Sequence, residues 1–305
     1  MRKGNTLKKE KRTEAIMGLL FIGLPLIGFF VFQLYPILWT FKWSFFSYNG
    51  IPSETKFIGL SNFSAAFADT KYWTSWITTL QFVFLKIPFE FALALFLAVI
   101  VSKVPGGGFF RSAYYLPAIV SAVVTGLIFT SMFTYDGFIN DLLLKLNWIK
   151  QPVEWFSNKW SAMSVLILTG IWKGWGINLL YFVAAITGVP QDIYESADLD
   201  GAGPFVKFFK ITLPMIAPVF GIVLLLSLVA NLSVNETIIT LTNGAPNGQT
   251  QSVMSYLTTK FVPGFTESVN PPLGYGCTLS FITTILFGLV AFGYDKFNKK
   301  LNNLQ

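Results

Sequence analysis

Six stretches of the chain, residues 16–36, 79–101, 112–133, 163–188, 214–239 and 273–294, are apolar for long enough to cross a hydrocarbon layer as helices, which takes roughly 20 residues each. Within them, runs such as Phe91-Ala-Leu-Ala-Leu-Phe-Leu-Ala-Val-Ile100 are apolar on every face. They lack the period-two alternation of a barrel strand, and lipid leaves no backbone group unpaired, so each stretch is expected to be a helix. The pattern predicts an all-α membrane protein with six transmembrane helices. The pieces expected outside are short and carry interfacial aromatics, as in Tyr72-Trp-Thr-Ser-Trp76 and the segment from Trp155 to Trp160. These read as lids and anchors, and no repeat of 20–50 residues is visible.

Composition excludes the alternatives. Of 305 residues, 53% are hydrophobic and 12% charged, which is too apolar for a soluble globule and excludes disorder. Thirty-two Phe, nine Trp and eleven Tyr suit a surface that faces lipid or substrate. The sequence has no His and a single cysteine, Cys277, so catalysis by imidazole, a thiolate metal cage and an intrachain disulfide are all ruled out. Six of the 22 basic residues precede the first apolar run, where they report membrane orientation and not nucleic acid.

That first run has the basic flank of a secretion signal, but only the bulky Gln33, Leu34, Tyr35 and Pro36 follow it, so it is expected to stay as the first helix. With the N-terminus inside, the inner segments hold 13 basic residues and the outer loops seven, and all three arginines fall inside. Both termini are therefore expected to be cytoplasmic, and residues 189–213 form a cytoplasmic loop. In this loop Asp192 and Glu195 have the spacing of a capping box. Gly201 and Gly203 permit a sharp turn that a side chain would obstruct, and Pro204 suits the first turn of a second, interfacial helix. That helix turns Phe205, Phe208 and Phe209 to lipid or core and leaves Lys207 and Lys210 for water or headgroups. Taken alone, a well-capped re-entry loop would account for Asp192 and Glu195 without any function.

The string Glu195-Ser-Ala-Asp-Leu-Asp-Gly201-Ala, continuing through Ile211-Thr-Leu-Pro214, resembles the EAA loop of permease subunits in bacterial ABC importers. Ile171-Trp-Lys173, Leu241-Thr-Asn-Gly-Ala-Pro-Asn-Gly248 and Phe57-Ile-Gly-Leu-Ser-Asn-Phe63 resemble the carbohydrate-uptake branch, its larger maltose-type subunits above all. The large external insertion of those subunits is absent, and Ser196 stands where the family often has Ala. The resemblance implies a type I importer permease (MetI-like) architecture: a basic cytoplasmic tail at 1–14, a permease domain at 15–300 with its coupling loop at 189–213, and a cytoplasmic end at 301–305. It implies that the loop docks into a cleft on an ATPase through Glu195, Ser196, Ala197, Asp198, Asp200 and Gly201, with Glu195 as acidic contact and Gly201 as elbow. The implied partners are a homologous second permease subunit forming a heterodimer, two copies of a cytoplasmic ABC ATPase, and an extracellular solute-binding protein. ATP and Mg would be bound by the ATPase, and no cofactor by this chain. In agreement, no G-x-x-x-x-G-K-[ST] cradle is present; Gly106-Gly-Gly-Phe-Phe-Arg111 lacks the lysine and the spacing.

Polar residues cluster in two spans: Trp172, Lys173, Trp175, Asn178 and Tyr181 in the fourth, and Asn231, Ser233, Asn235, Glu236 and Thr237 in the fifth. Such clusters mark a path, although single polar residues more often bond a neighbouring helix. Aligned through Leu241-Thr-Asn-Gly, the stretch from Asn231 to Val234 resembles the sugar-contacting part of the maltose-type subunits. A sugar offers hydroxyls around its rim and a weakly apolar face, so amides beside aromatic rings suit it. Asn231, Ser233, Asn235 and Asn178 are the expected polar contacts, and Trp172, Trp175 and Tyr181 the rings that could stack or pack on lipid. Lys86 and Glu90, four apart around Pro88, are expected to pair with each other or with neighbours. The expected cargo is a carbohydrate such as an oligosaccharide, with glycerol phosphate or another small polar solute as the second reading. No arginine lies in any predicted span, which weakens the case for an anionic cargo. An intramembrane enzyme built on Glu90 and Glu236 would lack both a metal site and a paired acidic motif.

Overall fold

The computed structural model describes residues 2–104, 107–262 and 272–302, without the side chains of residues 2–13, 15, 16, 107 and 300–302. Gly106, the basic side chains of the tail and residues 303–305 therefore lie outside the described residues. Among the described residues, five helices are long and apolar enough to cross a membrane: Met17–Trp43, Thr70–Val101, Lys159–Thr187, Pro204–Leu232 and Leu273–Lys299. The pair Gly108–Ile119 and Ala122–Met132 makes a sixth span if counted together, but it is bent by 88°.

That bend divides the third apolar stretch, expected as a single helix, into two. The chain forms α5 (Gly107–Ile119) and α6 (Ala122–Met132), and Ser121 between them takes the amide of Val124 on its hydroxyl at 3.2 Å. Pro117 withholds a donor from the last turn of α5, and Ser121 is a good N-cap, so stop and start signals lie four residues apart.

Two prolines read as span boundaries are not boundaries. α1 (Arg2–Phe29) passes through a π-helical segment, Phe30–Leu34, into α2 (Tyr35–Trp43), so the first span continues beyond Pro36. Likewise α10 (Pro204–Lys207) passes through the π-segment Phe208–Thr212 into α11 (Leu213–Leu232), so the expected interfacial helix is the first part of span five. A proline ring collides with the carbonyl four residues back, and in each case that carbonyl belongs to the π-segment. The residue just before each proline bonds five residues back, Tyr35 to the carbonyl of Phe30 and Leu213 to that of Phe208. The wider turn makes room for the ring while the helix continues.

The described residues group into two compact units, 1–68 with 260–284 and 69–259 with 285–305. In the first, β1 (Phe46–Ser47) pairs antiparallel with β2 (Lys56–Phe57), a small exception to the all-helical expectation, and α3 (Ser61–Ala68) follows. Asn62 fastens this hairpin by donating to the carbonyls of Ser44 and Phe46 at 2.9 and 3.0 Å. Thr278, in α14 (Leu273–Asn302), donates to the same Ser44 carbonyl at 3.2 Å. The apolar window of the first span has no buried residue, as a helix facing lipid would have.

The second unit is built on α4 (Thr70–Val101) and α8 (Lys159–Thr187), with α11 packed on both. Asp69 caps α4, starting it nine residues before the apolar run read from sequence, and Asn158 caps α8. Val83, Ile87 and Ala94 interlock with Leu179, Val183 and Ile216, and the rings of Phe91, Phe182 and Phe220 meet with centroids 5.4–5.6 Å apart. Close approach of α4 and α8 depends on Gly170 and Gly174. A β-carbon on Gly170 would lie 2.7 Å from Cε of Lys86, and one on Gly174 would enter the Glu90 carboxylate.

Candidate functional site

After α8 the chain forms α9 (Gln191–Leu199), a helix of nine residues. The expected capping box is absent: Pro190 occupies the N-cap position, no side chain caps the helix, and Asp192 already lies inside the first turn. A carboxylate there still benefits from the positive end of the helix, without closing it. The far end is closed by backbone alone. Ala202 donates to the carbonyl of Ala197 at 2.9 Å and Gly201 to that of Asp198 at 3.0 Å, with Gly201 at φ +74°. This pairing ends a helix on a left-handed residue, where glycine carries no β-carbon penalty. A β-carbon at Gly201 would meet nothing within 4 Å, so the position requires glycine for the dihedral angle of its sharp turn and not to clear a neighbouring group.

Two side-chain contacts fasten α9 to the foot of span five. The Tyr194 hydroxyl and the Thr212 hydroxyl lie 2.9 Å apart, and Lys207 donates to Asp198 at 2.5 Å. Of the coupling residues expected from sequence, Glu195, Ser196, Asp198, Asp200 and Gly201 are exposed, whereas Ala197 is buried and serves packing. Leu199, passed over in the sequence, is 90% exposed. Its signal was legible: an apolar residue between Asp198 and Asp200, one turn after Glu195, belongs to the outward face.

At the other end of span five the helix stops at Leu232, seven residues short of the expected boundary. Ser233 to Asn235 are non-helical before α12 (Glu236–Leu241) resumes. Irregular backbone at membrane depth is tolerated where protein or a cavity supports it. Here Ser252 donates to the Val234 carbonyl at 2.7 Å, and Asn235 donates to the Thr258 hydroxyl of α13 (Val253–Phe261) at 3.1 Å. α13 is anchored in turn by Tyr256, whose hydroxyl donates to Asp69 at 2.6 Å. Burial, then the adjacent Asp69 carboxylate, push the Tyr256 phenol well above its ordinary range, so it remains a donor.

The expected path residues separate into two groups. Asn231 and Asn178 join Lys86 and Glu90 in a buried network. Lys86 Nζ lies 2.9 Å from Glu90 and 2.6 Å from the Asn231 amide oxygen, while Asn178 donates to Glu90 at 3.0 Å. Asn231 also donates to the Ser227 carbonyl at 2.8 Å. Both amides are thus committed to joining α4, α8 and α11. In contrast, Ser233 and Tyr181 are exposed, and Asn235, Trp172, Lys173 and Trp175 are half-buried. Trp172 packs on Phe129 of α6 and Trp175 on Tyr114 of α5, with centroids 5.5 and 5.1 Å apart. Glu90 is ion-paired and Glu236 lies exposed in the first turn of α12. Among the described residues no group of three His, Cys, Asp or Glu could hold a metal ion.

The motif from Leu241 to Gly248 is a tight loop whose special residues have conformational duties. Asn243, Gly244, Asn247 and Gly248 all have positive φ. Thr78 and Thr79 of α4 bond its far end at Gln249 and Val253. A second loop turns on Asn140 of α7 (Phe138–Lys145), which is fully buried. Its amide donates to the carbonyls of Thr134, Tyr135 and Val153 and accepts from the Val153 amide and the Trp155 indole, all within 3.2 Å. Asn140→Ala is expected to cost about 2–4 kcal/mol by leaving several of these groups unpaired, read as a lowered melting temperature of the purified protein.

A family model described as "Binding-protein-dependent transport system inner membrane component" matches residues 63–302. The arabinooligosaccharides transport system permease protein AraP of Bacillus subtilis is 33% identical over 279 residues, which span 89% of this chain and 85% of that protein. The trehalose/maltose transport system permease protein MalF of Thermococcus litoralis is 32% identical over 252 residues, spanning 82% and 84%. Among solved structures, a bacterial ABC transporter involved in import of the acidic polysaccharide alginate contains a chain with TM-score 0.79 at 21% identity. That match covers 97% of this chain and 99% of the other, and it shows a shared all-α fold.

Proposed function

The chain belongs to the family of binding-protein-dependent transport system inner membrane components, and we propose that it forms one permease half of an ABC importer for an oligosaccharide. It is a multi-pass bacterial membrane subunit and not an enzyme. Relatives named for arabinooligosaccharides and for trehalose and maltose support a carbohydrate cargo. In this reading both termini are cytoplasmic, the second half is a homologous permease subunit, and two copies of an ABC ATPase bind ATP and Mg below the pair.

The observation that carries the proposal is α9, an exposed helix ended by a left-handed glycine and fastened to the foot of span five through Tyr194–Thr212 and Asp198–Lys207. In the proposed cycle the ATPase grips the face bearing Glu195 and Leu199. Movement of α9 is then passed to a helix of 29 residues, Pro204–Leu232, which reaches roughly 43 Å to the break at Ser233. Ser233 and Asn235 at that break, and the half-buried rings of Trp172 and Trp175 on α8, are the candidate sugar contacts, and Tyr181 is a further candidate ring. Contacts there should be weak enough to release what they accept. Coupling requires that ATP and the loaded binding protein favour the same conformation.

The test is purification with native partners. An ABC ATPase is expected to co-isolate, and its hydrolysis rate to rise when sugar-loaded binding protein is added. Failure to co-isolate, or hydrolysis indifferent to the loaded binding protein, overturns the proposal.

A further inference from the structure

Two cavities meet at the foot of span five. One, of about 720 Å³, is an apolar groove between α4 and the start of the span-five helix, walled by Leu95, Phe96, Ile100, Phe205, Phe209 and Phe220. The other, of about 550 Å³, lies beside α9 and is lined by Ser102, Lys103, Gln191, Tyr194, Asp198 and Lys207. Val99, Pro204 and Phe208 line both, so the two adjoin as the polar and apolar halves of one surface region.

The halves differ as the two ends of a phospholipid differ. Phe96, Phe205 and Phe209 are 64%, 79% and 60% exposed, an apolar face that suits an acyl chain. In the polar half Lys207 is balanced by Asp198, whereas Lys103 is exposed and has no ion pair among the described residues. One net positive charge therefore faces the polar half, beside the hydroxyls of Ser102 and Tyr194. An apolar helix from a neighbouring subunit could cover the groove but would bring no anion to Lys103. An occupant matching both halves has a hydrocarbon chain continuous with a negative head.

We propose that this depression binds an anionic phospholipid of the surrounding bilayer, its acyl chain along Phe96 and Phe209 and its phosphate against Lys103. The site requires only that the helices span; its assignment to the cytoplasmic leaflet rests on the inward-facing loop of the proposed function. Because the polar half is walled by both α9 and span five, the lipid sits where those elements are fastened. Transport is therefore expected to depend on anionic lipid.

The test uses the full-length chain with its native partners in phosphatidylcholine nanodiscs carrying a trace of phosphatidylglycerol with a photoactivatable acyl chain. Label is expected on peptides containing Phe96, Ile100, Phe205 or Phe209, competed by unlabelled phosphatidylglycerol and not by added phosphatidylcholine. Lys103→Gln should lower labelling about fivefold, which converts to about 1 kcal/mol for one cation at a membrane surface. Ala92→Trp, which fills the groove from an exposed position on α4, should abolish it and serves if the lysine variant does not accumulate. Label elsewhere, equal competition by phosphatidylcholine, or a cross-link from the groove to a second permease chain each overturns the site. Labelling is read without ATP, so intact labelling with no stimulated hydrolysis would count against the transport reading alone.

Discussion

Gly201→Val is expected to reduce sugar uptake about tenfold or more while leaving the chain in the membrane at its normal level. Gly201 is held at φ +74°, where an L-residue costs roughly 1–2 kcal/mol and a β-branched one more. Since 1.4 kcal/mol is a factor of ten, the strain is enough to shift most molecules out of the native elbow. Relief comes from breaking the bonds of Ala202 to Ala197 and of Gly201 to Asp198, which frays α9 and turns the Glu195 face away. No span is touched, because the space around the position is open. Gly201→Asn is the control: asparagine tolerates the left-handed region and should keep much of the uptake. The measurement is uptake of the cognate sugar per molecule of membrane-embedded protein. Full uptake by the valine variant would remove the elbow from the mechanism.

Lys86→Met alone and Glu90→Leu alone are each expected to destabilise the protein by about 3–5 kcal/mol, because each leaves a buried charge without its counter-ion. Lys86 and Glu90 are 6% and 2% exposed and share Asn231 and Asn178 as their remaining partners. The double variant should recover part of the loss, since it removes the lone buried charge but leaves the Asn231 oxygen and the Asn178 amide without these partners. Melting of the purified chain in detergent measures all three. If the pair served the sugar instead, the single variants would melt normally and fail only in uptake. That outcome would return Asn178 and Asn231 to the path.

The spans were legible because lipid imposes a length and a composition that few other constraints can imitate. Their ends were less so. Pro36 and Pro214 were placed at the ends of apolar stretches, but one wider turn before each lets the helix pass. Pro117 and Ser121 are stop and start signals inside an apolar run long enough to be read as one span. Gly170 and Gly174 have the small-xxx-small spacing of close helix packing, visible without coordinates. The turn at Gly201 was legible because glycine alone reaches such dihedral angles without penalty. What the sequence could not show was the rotation of each helix about its axis. Asn178, Asn231 and Ser233 look alike as polar residues in apolar runs, yet the first two close a network among three helices and the third is exposed.

The π-segment at Phe208–Thr212 also fixes a rotational phase. One residue beyond regular α winding displaces everything before it by about 100° around the axis. Lys207, which holds Asp198, and Asn231, which holds Lys86, lie on opposite sides of that offset on the same helix. Deleting Phe209 would restore regular winding but swing one anchorage a quarter-turn or more out of register with the other. Length variation between residues 204 and 214 should therefore be tolerated far less than in the surface loops, even though the hydrophobic run would hardly change.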